Sequence, residues 1–498
     1  MFPFSSMKVV SFPARITPFG HRPPMTFDSL SFLAFLVLIY FCYWGVRTWR
    51  ARKMLLLGGS YLFYGAWNPF FVLLLIATTG FDWFAARWME RVAERSRRRA
   101  ILIASITVNL CALGFFKYAQ FFADNAVALA KLIGIDFKPI ALGIILPVGI
   151  SFYTFESLSY VVDVYKKRVS ASKSLLDYGL YTTFFPHLVA GPILRYGDFE
   201  PQCAMEKSWR STPMGKGLAL FVYGLALKVC LADLVFAPVV DQVFAAGASP
   251  SAADIWLGAS SFALQAYCDF GGYSLCAIGI ALMFGFRFPL NFDSPFGAVG
   301  MADLWTKWHM SLSSWLRDYL FKPLGGYRKG RLRGHLNLIF TFLLCGLWHG
   351  AAWTFVIWGG LNGLFQVLER IFRDHVWDFV RVKHRGARAV FALITFALFS
   401  VAAVFFRATS MGQATSMLVG MLGFGSAAYT DVVGSSERIV AVAGGALVVG
   451  SHIVFADLRG WDWLDEWAVW RRAAAVALAL AAVVFSPGFN PAFIYFQF

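Results

Sequence analysis

The 498-residue chain reads as an all-α, polytopic integral membrane protein, and three observations carry that expectation. Apolar residues of the AVILMFWYC set make up 58% of it and charged residues only 14%, a balance foreign to soluble globular chains. Apolar runs close to the length needed to cross hydrocarbon recur from one end to the other. The excess of Lys and Arg over Asp and Glu, 44 against 28 for a net charge of +16, sits in short clusters between those runs. In a soluble protein such a surplus would suggest nucleic acid. Placed this way it is the positive-inside pattern, so the partner it implies is the lipid bilayer and no nucleic acid is expected.

Residues 1–24 contain Lys8, Arg15 and Arg22, no acidic residue and several Pro and Gly, and they lack an apolar run long enough for a signal peptide. They are expected to be an unstructured tail. At Met25 the text changes abruptly to MTFDSLSFLAFLVLIYFCYWGV, which makes Met25 a candidate functional start, with a genuine short extension as the alternative. Residues 25–498 are expected to form a single membrane domain.

Crossing about 30 Å of hydrocarbon takes about 20 helical residues. Candidate runs fall at 29–46, 54–66, 69–87, 100–119, 141–164, 175–190, 216–238, 253–268, 272–288, 335–349, 353–372, 388–407, 437–455 and 471–487. Several are too short to cross alone, which predicts roughly 11 transmembrane helices mixed with re-entrant or interfacial ones. Arg47, Arg50, Arg52 and Lys53 follow the first run, so it is expected to pass from outside to inside. The basic segments 87–99, 166–173, 327–334 and 381–388 are then cytoplasmic too. The seven cysteines are scattered and form no CxxC pair, so neither a disulfide framework nor a zinc site is indicated, and most should be buried thiols.

Signatures of soluble enzymes are missing: there is no GxSxG, HExxH or Walker loop. Gly423, Gly425 and Ala428 fit GxGxxA formally, but no strand precedes them and the match is chance. Gly359 and Gly363 form a GxxxG spacing, which points to close helix packing. Ionisable residues within apolar text carry more information, because placing one in hydrocarbon costs roughly 2.5–3.5 kcal/mol even on insertion scales. Of the eight histidines, His187, His309 and His349 fall in such text.

His349 lies about 14 residues past a basic loop, hence about 21 Å into the membrane at 1.5 Å per residue. Gly350 follows it, and Trp348 and Trp353 could wall a cavity around it. One reading is a histidine that bridges two helices; the other is a general base, since an imidazole titrates near neutrality. His309 lies in ADLWTKWHMSLSSWLRDYLFKPLGG (302–326), too polar to span but strongly periodic. Trp305, Trp308, Leu312, Trp315 and Tyr319 recur on one face and Thr306, His309, Ser313 and Arg317 on another. The aromatic face suits packing or a membrane-interface belt, and the polar face would line a lumen. The loop that follows carries Arg328, Lys329, Arg331 and Arg333. It serves either as a topology signal or as a hold for the phosphates of a cytosolic donor. Glu156, in ISFYTFESLSYVVDVY, and His187 and Arg195, around a Gly-Pro break in FFPHLVAGPILRYGDF, mark broken, cavity-lining helices or buried ion pairs, as does Asp269.

Taken in order, MTFDSLSFLAF, ILPVGISFYTFESLSYVVDVY, FFPHLVAGPILRY, DFGGYS with AIGIALMFGFRFPLNFDSPF, KWHMSLSSWLRDYLFKPLGG, GLWHGAAWTFVIWGGLNGL and FIYFQF are a specific set. Through them residues 25–498 resemble the membrane-bound O-acyltransferase family, in its bacterial branch that acetylates exported polysaccharides such as alginate. The resemblance implies a helical bundle around a tunnel, with a catalytic core at about 140–375. His349 of the WHG motif would be the catalytic residue and His309 of WHMS the second family histidine. Ser313, Arg317, Trp305, Trp348, Glu156, Arg195 and Asn362 would line the tunnel or the donor side, with Arg328, Lys329, Arg331 and Arg333 on donor phosphates. No metal and no bound cofactor are implied. The donor would be cytosolic, with acetyl-CoA the natural choice, and an extracytoplasmic acetyltransferase partner would carry the group to a polysaccharide it need not share with this chain. The location implied is a bacterial cytoplasmic membrane. Leu275 stands where an acidic residue is expected and Asn362 where relatives often carry histidine. D-alanyl transfer from a carrier protein, peptidoglycan acetylation and, from another class, a transporter remain alternatives; no inverted repeat supports the last.

Overall fold

A computed structural model describes residues 25–136, 141–424, 430–458, 460–461 and 466–486. The tail 1–24, the terminal FIYFQF and Gly425 and Ala428 lie outside the described residues. Among the described residues there are helices and no strand, as a chain that must satisfy every backbone polar group within lipid requires. Among the described residues six helices are long and apolar enough to cross a membrane by themselves: Pro69–Arg91, Arg95–Leu132, Met214–Val243, Ala252–Met283, Arg385–Arg407 and Ser435–Val454. The other apolar runs form shorter or more polar helices, so the expectation of roughly 11 spans rests on segments that do not meet that criterion alone. Four cysteines are buried, while Cys42 and Cys111 are exposed.

The chain divides into two compact units. One comprises 22–218 and 276–289. Its helices begin on side-chain caps: Ser29 Oγ accepts from the Phe32 N–H at 3.2 Å, and Asn68 Oδ1 accepts from the Phe70 N–H at 3.0 Å ahead of Pro69. Its core is aromatic, with Phe185 edge-on to Phe35 and to Phe284 at 5.3 and 5.9 Å between centroids. The run expected at 175–190 breaks at Phe184 into Leu175–Thr183 and Phe185–Leu188, with Pro186 in the first turn of the second.

The second unit comprises 219–275 and the chain from 290 on. The runs expected at 253–268 and 272–288 are one continuous helix, Ala252–Met283. Asp269 does not interrupt it because Lys228 Nζ, on the π-helical segment Leu227–Phe236, lies 2.8 Å from its carboxylate and 2.7 Å from that of Asp233. Paired this way, the charges stay in the buried interior at a tolerable cost.

Arg331–His349 and Trp353–His375 form a tight helical hairpin in the same unit. A Cβ added at Gly346 would lie 2.1 Å from the Phe355 carbonyl oxygen, and one at Gly359 would lie 2.0 Å from the Phe342 carbonyl oxygen. The two backbones therefore touch at reciprocal points, and only glycine fits there. This is the close approach the GxxxG spacing predicts. Gly359→Ala should cost roughly 1–3 kcal/mol by overpacking. Gly360→Ala, whose new methyl would meet only the flexible end of Leu343, should cost less. Thermal unfolding of the two detergent-purified variants checks the difference, and equal melting would contradict the reciprocal contact.

Candidate active site

His349 is the last residue of Arg331–His349, 6% exposed, and the extended Gly350 turns the chain away immediately after it. Its ring is walled edge-on by Trp348, Trp358 and Phe406, at 4.7, 5.0 and 5.3 Å between centroids. Trp353, expected in that wall, is 52% exposed instead, because it begins the returning helix on the outward side; Trp358 takes its place. Trp358 is fixed in turn. Its carbonyl accepts from Asn362 Nδ2 at 2.8 Å, and Asn362 Oδ1 accepts from Trp305 Nε1 at 3.3 Å. Trp305 and Asn362 thus stand directly behind the His349 wall, both buried.

His309 is fully buried and lies outside the apolar helices long enough to span. It separates the short helices Met301–Lys307 and Met310–Leu316, and its backbone is left-handed at φ 43°. A non-glycine residue pays roughly 1–2 kcal/mol for that conformation. Backbone bonds on both sides hold it: Asp293 N–H donates to the Lys307 carbonyl at 3.0 Å and Met310 N–H to the Asn291 carbonyl at 2.9 Å. Asn291 also holds the ring, with its Oδ1 3.1 Å from His309 Nδ1. The same oxygen accepts from Ser311 Oγ at 2.9 Å, while Asn291 Nδ2 reaches Ser274 Oγ at 3.1 Å. With an amide oxygen facing it, Nδ1 carries the proton and Nε2 is the basic nitrogen.

Both imidazoles neighbour one indole. Trp348 lies 6.2 Å from the His309 ring and 4.7 Å from the His349 ring, and Phe270 closes the His309 side at 4.7 Å. Burial pushes the His309 imidazole down to about 3, so it is neutral at ordinary pH. An uncharged imidazole this weakly basic suits holding an acyl acceptor's hydroxyl in a hydrogen bond rather than taking its proton.

The left-handed break at His309 ends the single polar stripe expected across 306–317. Thr306 is exposed, Ser313 Oγ donates to the Trp308 carbonyl at 3.2 Å, and Arg317 points outward beside Asp318. Ser311 rather than Ser313 joins the histidine network. Arg328, Lys329, Arg331 and Arg333 are all exposed, and Arg331 pairs with Asp374 at 3.2 Å. Glu156 and Arg195 belong to the other unit. There Glu156 Oε1 lies 3.2 Å from His187 Nδ1 and accepts from the Leu194 N–H at 3.0 Å, while Arg195 is half-buried at the start of Tyr196–Ala204. Asn291, Ser274, Trp358 and Phe406 escaped the sequence reading. Asn291, Ser274 and Trp358 sat in quoted motifs without a charge to mark them, and Phe406 had no signal beyond composition. Among the described residues no group of three or more His, Cys, Asp or Glu side chains converges as metal ligands would.

The family model for membrane-bound O-acyltransferases matches residues 106–407, which include both histidines and the whole hairpin. The chain belongs to the membrane-bound O-acyltransferase family. Its relatives there include the probable alginate O-acetylases of Azotobacter vinelandii, 39% identical over 82% of this chain and 80% of the relative, and of Pseudomonas aeruginosa, 38% identical over 81% and 76%. The peptidoglycan O-acetyltransferase of Helicobacter pylori is 35% identical over 74% of each. As a member of this family the protein is an O-acyltransferase.

Because the folded His309 binds its proton far more weakly than an unfolded imidazole, its contribution to stability is full above pH 6.5 and is lost as the pH falls toward 3. His309→Gln should therefore lose less stability than the native protein between pH 7 and pH 5. Melting curves across that interval test it, and parallel losses in both proteins would contradict a buried neutral imidazole.

Proposed function

We propose that the protein moves acetyl groups from a cytosolic donor, acetyl-CoA, toward an exported polysaccharide such as alginate, with His349 as general base. The observation that carries this reading is a pair of buried imidazoles that both neighbour the Trp348 indole, in a chain whose similar relatives are named for O-acetylation. In the transfer, a hydroxyl oxygen attacks the thioester carbon and the imidazole nitrogen takes the hydroxyl proton. The carbon–sulfur bond then breaks, and the proton passes to the departing thiolate. His309 also neighbours Trp348, with its tautomer set by Asn291, and orients the acceptor. Trp305 and Asn362 keep the His349 wall in place.

The positive-inside pattern supports a multi-pass arrangement in the bacterial cytoplasmic membrane, with the basic segments toward the donor. A second acetyltransferase on the far side would finish the reaction on the polymer. Peptidoglycan is the alternative acceptor, since a relative named for it matches at nearly the same identity.

Acetyl transfer from radiolabelled acetyl-CoA in membrane vesicles tests the reading. His349→Ala should lower labelling by about 100-fold or more, the usual worth of a general base, at equal membrane insertion. Native labelling by that variant would remove His349 from the chemistry. Labelling that requires an acylated carrier protein and ignores CoA would replace the donor.

A further inference from the structure

Tyr327 and Arg331, of the basic segment after the His309 helices, wall a cavity that takes no part in the proton and acyl steps described above. The cavity has a volume of about 350 Å³ and is lined by Tyr327, Arg331, His335, Arg370, Arg373 and Asp374, at the end of the hairpin opposite His349. Eighteen helical residues separate Arg331 from His349, a rise of about 27 Å.

The lining is built rather than incidental. Gly334 lets the Tyr327 ring lie directly on the first turn of Arg331–His349, where a Cβ would stand 1.9 Å from the ring. On that ring Arg370 sets its guanidinium, 4.3 Å from the centroid, and His335 meets it edge-on at 5.6 Å. Arg370 makes no ion pair among the described residues. The buried His335 Nε2 makes no hydrogen bond among them. Arg373 is held by Asp378 at 2.8 Å and Glu369 at 3.4 Å, while Arg331 is joined to Asp374 by an exposed contact at 3.2 Å. An exposed pair of that kind is weak and exchanges readily for a better anion.

We propose that this cavity binds a phosphate group, with Arg370 as the principal anchor, Arg331 released from Asp374 to close on it, and His335 as a further donor. Planar guanidiniums facing a common space match the oxygens of a phosphate, and a cation stacked on a phenol is held in register before the ligand arrives. The phosphate belongs either to an anionic lipid headgroup or to a soluble phosphate ester. The site is defined by anion binding, so it stands or falls separately from acetyl transfer.

Two probes on the purified full-length protein separate the sources: inorganic pyrophosphate titrated calorimetrically in neutral detergent, and phosphatidylglycerol retained against phosphatidylcholine by native mass spectrometry. The native chain should bind at least one of them. Arg370→Gln should weaken that binding about tenfold or more, as loss of a charge-assisted contact does, with partial recovery in Arg370→Lys. His335→Gln supplies a second variant should Arg370→Gln fold poorly, and Arg97→Gln, an exposed arginine on another basic segment, should bind as the native chain does. Pyrophosphate binding that phosphatidylglycerol does not displace identifies a soluble phosphate ester; retained phosphatidylglycerol that displaces pyrophosphate identifies a lipid. Failure of both probes to bind, or native affinity in both pocket variants, overturns the site.

Discussion

Backbone touching backbone between Arg331–His349 and Trp353–His375 fixes the frame on which the candidate site depends. In lipid, two helices gain little by hiding apolar surface from one another, because the tails around them are equally apolar. What holds such a pair in register is shape. Gly346 against the Phe355 carbonyl and Gly359 against the Phe342 carbonyl are reciprocal, so sliding either helix by one residue would drive a side chain into backbone. That register places His349 at the closing turn and Trp358 one and a half turns into the return, which is why their rings meet at 5.0 Å. Phe406 arrives on a third helix, Arg385–Arg407, and completes the wall.

The second histidine is held by a different device. His309 spends conformational energy to stand between two short helices with a left-handed backbone, and the segment around Asn291 supplies the compensation. One amide side chain fixes the imidazole, a serine hydroxyl and, through Ser274, the long Ala252–Met283 helix. A continuous helix through 306–317 would have kept Thr306, His309, Ser313 and Arg317 on one stripe. The break turns the imidazole inward toward Asn291 and leaves the flanking polar side chains outside. Strain that the surroundings over-determine in this way is typical of residues whose orientation matters more than their propensity.

This explains what the amino-acid text reveals and what it hides. His349 and His309 are legible because an ionisable group in apolar text is costly, and the glycine spacing on the returning helix is legible because it recurs on one face. The continuity of Ala252–Met283 is not. Asp269 looks like an interruption until Lys228, 41 residues earlier, is found beside it, and no local pattern announces a pairing across that separation. The polar stripe fails for a related reason: periodicity assumes one backbone conformation throughout, and a single positive φ at His309 rotates everything after it. Asn291 is neutral, common and in a loop, so its part in the network becomes visible only once His309, Ser311 and Ser274 surround it.

The choice of an amide at His309 bears on the proposed chemistry. A carboxylate facing Nδ1 would favour the charged ring and bind its proton before any substrate arrives. In the other unit Glu156 Oε1 lies 3.2 Å from His187 Nδ1, so the chain sets a carboxylate beside one imidazole and an amide beside another. Asn291 orients the His309 ring through Nδ1–H and favours the imidazolium far less than a carboxylate would, so burial keeps the other nitrogen unprotonated. Such a group stays uncharged at ordinary pH. Its uncharged ring can still hydrogen-bond a hydroxyl without becoming charged. In the proposed transfer this leaves His349 to take the hydroxyl proton as the thioester carbon is attacked and to pass it to the leaving thiolate, while the uncharged His309 keeps the acceptor oriented.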